Sequence, residues 1–336
     1  MSRALDLLQD LVALPGPPGQ EDLVRDYLIE KVKAMGHQWS VDAKGNLHVP
    51  LGPDPKIVVT AHMDEIAMML AGRTTTGFDV RPLGGLHPWK LGEGPVQILA
   101  EHGPVNGVLS MGSVHTESRE SPITRAREKT VTWEDCHIFV DGVFHEDWDN
   151  GGGLYPGLRA VVHPSRRQLT PLGDFVGGHF LDDRADLVSW LLALEQLRDL
   201  PVLFLATTSE EVGGEGAQYA LQHIQPDVCV ALELGPEVPD ARPYRSDGLT
   251  VWSNDSYAAI SPQDLHLVKA LDPTITPQTL SRGGSDASCA ASRGLCARPI
   301  TLGIPMENTH GYEIIHKDSM DKLADLTVRL VQALCG

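Results

Sequence analysis

Three uninterrupted apolar runs narrow what this chain can fold into more than any other feature. They are "KIVVTAH" (56–62), "PVLFLATT" (201–208) and "DVCVALEL" (227–234). None alternates apolar and polar residues as a strand with one wet face would, so each reads as a strand buried on both faces. Segments with helical spacing lie among them. Leu23, Val24, Tyr27, Leu28 and Val32 recur at helix spacing before a stop at Gly36. Leu187, Trp190, Leu191, Leu194 and Leu197 form one stripe of an amphipathic helix that opens at Asp182-Asp183-Arg184. "GEGAQYALQHI" is a further helix, and Met320, Leu323, Leu330, Val331 and Leu334 mark the inner face of a terminal one. Buried strands alternating with helices predict an α/β fold with a mostly parallel or mixed sheet flanked by helices.

Two shorter signals complete the outline. "HQWSVDAKGNLHV" reads as a hairpin turning at Lys44-Gly45-Asn46. Between about Ala71 and Pro171 no helical period survives, and "PVQILAE", "NGVLS", "HIFVDG" and "RAVVH" alternate with turn residues. This stretch is expected to be an inserted small β-barrel domain. The organisation predicted is therefore 1–70 with 171–336 as one domain and 71–170 as the insert.

Lys+Arg number 27 against Asp+Glu 45, a net charge of -18 over 336 residues. Such a surface repels polyanions, which argues against nucleic acid and anionic membrane as partners. Asp6 and Asp10 interrupt the apolar N-terminus, so no signal peptide is read there. No stretch reaches the apolar length of a membrane span. The five cysteines are scattered and odd in number, which fits reduced buried thiols in a cytoplasmic protein. The sequon at Asn254 is then a chance pattern.

In an open α/β sheet, sites form beyond the carboxyl ends of the strands. His62 follows the first run, Glu210 and Glu211 follow the second, and Glu233 closes the third. Each has a plain structural alternative. His62-Met63-Asp64 alone is more often structural, although Asp64 at a strand end can hold one imidazole nitrogen while the other binds metal. Thr207 and Thr208, each three residues before a glutamate, fit capping boxes at a helix start, and Glu210-Glu211 equally fits a solvated pair. Asp182 at a helix start satisfies the macrodipole, or bridges two cations. His310 in "NTHGYE", like His102, His115, His145 and His163, would ordinarily be surface decoration.

The ordered series "LPGPPGQEDLVRDYL", "DAKGNLHV", "AHMDEIA", "GGHFLDDRAD", "TTSEEVGGEGA", "ALELG", "RGGSDAS" and "THGYE" resembles the dinuclear-metal aminopeptidases that include the tetrahedral (TET) and glutamyl aminopeptidases. The resemblance runs nearly end to end. It implies a zinc-aminopeptidase-like fold and hydrolysis of the N-terminal bond of short peptides. It implies two divalent ions, zinc with cobalt or manganese as alternatives. His62 and Glu233 would hold one ion, Glu211 and His310 the other, with Asp182 bridging. Glu210 would be the general base and Asp64 would orient His62. It further implies a cis peptide after Asp182 and a homo-oligomer, up to a dodecameric shell, with the insert as the assembly surface. Arg282 and Asp286 are the expected substrate-binding residues. Two positions depart from the family pattern: Glu233 replaces the commoner Asp, and Asp186 replaces a small Gly without touching a ligand. Competing readings are an endoglucanase-type glycoside hydrolase, since paired carboxylates also cleave sugars, and a non-catalytic peptide-binding or assembly protein.

Overall fold

Each of the three apolar runs is a strand, and together they lie at the centre of one sheet. The computed structural model describes residues 2–140 and 153–336, and His145 lies outside the described residues. In chain order the first elements are α1 (Arg3–Ala13), α2 (Asp22–Ala34), β1 (Ser40–Val41), β2 (Leu47–Pro50) and β3 (Ile57–His62). Next come β4 (Ala67–Arg73), β5 (Gly77–Leu83), α3 (Pro88–Leu91), β6 (Gly94–Ala100), β7 (Gly103–Ser110), α4 (Pro122–Ala126), β8 (His137–Phe139) and β9 (Arg159–Val162). Then follow β10 (Thr170–Leu172), β11 (Phe175–His179), α5 (Leu181–Gln196), β12 (Val202–Thr207), α6 (Glu215–Ile224) and β13 (Val228–Pro236). The chain ends with β14 (Thr250–Asn254), α7 (Pro262–Leu271), β15 (Thr276–Thr279), α8 (Asp286–Ala291), β16 (Arg298–Glu307), β17 (Tyr312–His316) and α9 (Ser319–Cys335).

The chain forms two compact units, 1–65 with 169–309 and 313–336, and 66–168 with 310–312. In the first, the sheet runs β1-β2-β12-β3-β13-β16-β17-β11-β10, with β14 and β15 attached beside β16. The centre, β12-β3-β13-β16, is parallel, and the pairs β1–β2, β2–β12, β16–β17 and β10–β11 are antiparallel. The sheet is therefore mixed, as expected. Its parallel centre is dry because both faces are covered. Ile57 and Val59 face a core built with α1, α2, α5 and α9, while Val58 joins a second core with Ala217, Ala220 and Leu221 of α6 and Ala287 and Ala290 of α8.

Helix α5 corrects one expectation. It is not amphipathic: every residue from Leu181 to Leu194 is buried. The leucine stripe marks one packed face, and Ala185, Ser189 and Ala193 let neighbours close on the others. The helix packs against β3 and β13 and also against α1 and α9, so little of it reaches water. In α9 the expected face is buried at Met320, Leu323, Leu330 and Val331, and Leu334 packs at its margin.

The second unit is a closed barrel, β4-β5-β8-β7-β6-β9. Leu70, Phe78, Val80, Val96, Ile98, Leu109, Ile138 and Ala160 are buried in it. Contrary to the reading of this stretch as free of helix, α3 and α4 are present. Each spans barely a turn and begins with a proline pre-set to helical φ. Elements so short leave no period in the sequence.

Among the described residues no helix is long and apolar enough to cross a membrane. All five cysteines are free thiols.

Candidate metal centre

Strand register brings the first ligand-type residues level. His62 at the end of β3 stands opposite Thr207 at the end of β12. Thr60 stands opposite Ala231, which places Glu233 beside His62 on the neighbouring strand. Asp182 enters from β11 through Phe180, whose backbone is left-handed at φ 63°, and the Asp182–Asp183 peptide is cis. Ligand atoms of His62, Asp182, Asp183 and Glu233 all lie within 4.8 Å of one another, and all four residues are buried.

The two nitrogens of His62 face different partners. Nε2 lies 3.1 Å from Asp182 Oδ1. Nδ1 lies 3.1 Å from the carbonyl oxygen of Asp64 and 3.4 Å from its Oδ1. The backbone N–H of His62 donates to Asp183 Oδ2 at 2.7 Å, and that of Asp182 donates to Glu313 Oε2 at 3.1 Å. Asp64 also carries a second load. Its Oδ1 accepts the N–H of Glu210 at 2.9 Å and its Oδ2 that of Glu211 at 3.1 Å.

Glu210 and Glu211 follow Ser209, a non-glycine residue with φ 54°. Helix α6 begins only at Glu215, after Gly214 as N-cap with no side-chain cap bond. The capping-box alternative for the glutamate pair therefore does not hold. The turn is tight instead: Gly213 and Gly214 both donate to the carbonyl of Glu210 at 2.8 Å.

Negative charge is concentrated and poorly solvated here. Burial pushes the carboxyl of Glu210 well above its ordinary range, against the pull of His62 and with help from Asp286. Burial and then the charges of Asp182 and Glu210 do the same to Glu233. Burial and Asp186 raise Asp183. For His62, burial opposes the charged form, but the charge of Asp183 and the hydrogen bonds to Asp182 and Asp64 carry its pKa well above the usual value. Asp183 Oδ1, Asp286 Oδ1 and both carboxyl oxygens of Asp186 are buried without a hydrogen-bond donor. Imidazole nitrogen with several carboxylates is the donor set of zinc, cobalt and manganese sites. Buried carboxyl groups crowded in this way fit a divalent cation.

Asp186 is therefore less remote than the sequence implied. It is fully buried and its pKa is raised to about 7, by burial and the charge of Asp182, against the pull of its contact with Asp183 and of the His62 charge. The unfolded carboxyl titrates near 4. A raised folded pKa means that the native state keeps a proton which the unfolded chain gives up between these values. Stability in metal-free protein should thus fall as pH rises from about 4 to about 7. Asp186→Asn is expected to gain on the wild type across that window. Melting curves of the two chelated proteins from pH 4 to 8 check this; parallel curves refute it.

The remaining predicted residues are placed as follows. His310, at φ 57°, groups with the barrel unit, where its Nδ1 lies 3.1 Å from the Gly85 carbonyl. A Cβ on Gly85 would come within 2.6 Å of that nitrogen, so glycine is required for the approach. Arg282 is exposed. Asp286 is buried, its Oδ2 accepts from Thr207 Oγ1 at 2.7 Å, and burial raises its pKa to about 6.

Sequence reasoning missed Asp183 as a member of the cluster and the ion pair beneath it. Arg184 Nη2 donates to Glu65 Oε2 at 3.0 Å, with both side chains fully buried, and the guanidinium also donates to the carbonyls of Met63 and Leu14. The one visible signal is a set of charged residues inside otherwise apolar surroundings. Arg184→Met is expected to destabilise the fold by about 3–5 kcal/mol, because it removes one member of a buried ion pair. Replacing both, Arg184→Met with Glu65→Leu, should recover most of that loss. Urea unfolding of the two variants measures it.

A parallel-centred α/β sheet whose carboxyl edge gathers histidine and carboxylates into one buried cluster offers a site for a divalent cation. The profile of the M42 glutamyl aminopeptidases matches residues 45–326, and the chain belongs to that family. It is similar to the lysyl aminopeptidase of Pyrococcus furiosus, at 26% identity over 68% of this chain and 66% of that protein. It is similar to the glutamyl aminopeptidase of Lactococcus lactis, at 26% identity over 92% of this chain and 90% of that protein. Among solved structures, the Pyrococcus horikoshii TET1 peptidase superposes with a TM-score of 0.84 at 26% identity, covering 98% of this chain and 99% of that one. That peptidase is described as assembling into a tetrahedron or a large octahedral shell.

Proposed function

We propose that this protein is an aminopeptidase that hydrolyses the N-terminal bond of short peptides with the aid of two divalent cations. The observation that carries the reading is the convergence of His62, Asp182 and Glu233 ligand atoms at the carboxyl edge of the parallel strands. In this reading His62 and Glu233 would hold one ion and Glu211 and His310 the other, with Asp182 a ligand shared between them. Zinc suits the donor set, with cobalt or manganese as alternatives. Cations held there supply Lewis acidity toward water and the scissile carbonyl.

The residues of the chain do the rest. Glu210 takes the proton of the attacking water and returns it to the leaving amine, a role that suits a carboxyl whose pKa is raised by burial. Asp64 steadies the His62 imidazole through Nδ1 and holds the backbone of both glutamates. Asp183 braces the His62 backbone. Arg282, exposed, is offered for the substrate's side chain or carboxylate. Asp286, expected among the substrate-binding residues, is buried, and its proposed part is to support Thr207 from within.

The barrel unit serves assembly and substrate access. A homo-oligomer, up to a dodecamer, is proposed on the likeness to the TET1 peptidase structures. The proposed location is the cytoplasm, consistent with free thiols.

The test is a panel of amino-acyl chromogenic substrates and short peptides, each with a free or an acetylated N-terminus, given to protein reconstituted with zinc, cobalt or manganese. Release of single N-terminal residues from the free-amine members alone is expected. Cleavage of a β-glucan instead would establish the glycosidase. No turnover of any member would leave a binding protein.

A further inference from the structure

The turn that presents Glu210 is held in an uncommon way. Four consecutive amide N–H groups donate to side chains from far away in the chain. Thr208 N–H donates to Asn46 Oδ1 at 2.9 Å, Ser209 N–H to Glu21 Oε1 at 3.1 Å, and Glu210 and Glu211 N–H to Asp64 at 2.9 and 3.1 Å. The acceptors lie 146 to 188 positions away, and all belong to the first 65 residues. Asn46 immediately precedes β2 and Asp64 lies just past β3, so both border strands of the sheet. Glu21 does not: it stands at the N-cap of α2 and makes no side-chain bond to its own helix.

The Glu21 carboxylate is spent on the turn instead. Glu21 is 4% exposed. Its Oε1 accepts from Ser209 N–H at 3.1 Å, Ser209 Oγ–H at 3.4 Å and Gly19 N–H at 2.8 Å. Ser209 is the residue with φ 54° immediately before Glu210. A non-glycine residue keeps a left-handed backbone only where its surroundings over-determine it. Ser209 also sets the direction in which the chain enters Glu210.

We propose that Glu21 is a positioning residue for the general base: by clamping the left-handed Ser209 through Oε1, it aims the Glu210 carboxylate. The proposal rests on the assignment of Glu210 as the base. A displacement of about 1 Å in a reacting group costs about 100-fold in rate, so the clamp has a kinetic signature distinct from a stabilising role.

Three variants of the full chain, reconstituted with zinc, test it: Glu21→Ala, Glu21→Gln and Glu21→Asp. The measurements are kcat and KM on the best substrate of the panel, and bound metal per chain by mass spectrometry. Glu21→Ala is expected to lose about 100-fold in kcat, with KM and metal content retained. Glu21→Gln keeps an Oε1 acceptor in the same place and should recover kcat to within about 10-fold of wild type, the rest being lost to small misalignment. Glu21→Asp pulls the acceptor back by one methylene and should fall between. Should Glu21→Ala fail to fold, Glu21→Asp asks the same question. A folded Ala or Asp variant with wild-type kcat, or a loss of bound metal that matches the loss of kcat, overturns the proposal. Glu210→Gln run alongside separates the two claims. If it keeps turnover, the assignment of the base is wrong. If it is inactive while the Glu21 variants are fully active, only the clamp is wrong.

Discussion

Removal of divalent cations with a chelator is expected to reduce peptide hydrolysis to background, and zinc, cobalt or manganese is expected to restore it. The reason lies in the crowding of acids around His62. Asp183, Glu210 and Glu233 are all pushed toward their protonated forms by burial, and neighbouring carboxylates add to the effect. The fold concentrates this charge at the carboxyl edge of its sheet, beside the His62 imidazole. Bound cations would relieve that repulsion, so their removal should cost stability as well as chemistry. A ligand present at 100 times its dissociation constant stabilises the native state by about 2.7 kcal/mol per site. Chelated protein should therefore melt several degrees lower and regain both properties together on metal addition. Activity and melting temperature that ignore the chelator would reject the metal-dependent reading.

Glu210→Gln is expected to lower kcat by about 100- to 10,000-fold, the range supplied by a positioned general base. That corresponds to about 3–5 kcal/mol of transition-state stabilisation. Bound metal should be unchanged, because His62, Asp182 and Glu233 form their cluster without Glu210. The fold should also survive, because the bond that ties this position to Asp64 comes from the backbone N–H. An amide side chain leaves that bond intact and removes only the ability to accept and return a proton. Retained turnover would show that the base lies elsewhere. Loss of metal together with turnover would assign Glu210 to the ligands.

Much of the fold was legible because its main strands are of one kind. A strand buried on both faces must be apolar throughout, so β3, β12 and β13 announce themselves, and the residues at their ends follow. The barrel strands were legible from turn residues and short β-branched runs. Helix α5 was read less well. Its leucine stripe looks like one wet-faced helix, but Ala185, Ser189 and Ala193 are small enough for neighbours to close over them. The short helices α3 and α4 were invisible because a single turn has no period.

Within the site, the types of candidate ligand could be named from the sequence, and the family likeness set their order. The supports could not. Nothing local to Glu21 points to Ser209, and nothing local to Asp186 says that it is buried with its carboxyl raised to about 7.

The sequence by itself therefore determined the class of sheet, its helical cover and the side chains available at its edge, because apolar periodicity records whether each face of an element meets core or water. Only the tertiary structure decided which acids share the pocket, that Asp64 serves His62 and both glutamates at once, and that Arg184 and Glu65 pair in the dark. Those outcomes depend on desolvation and on charges brought together from more than 100 residues apart. No local pattern carries that information.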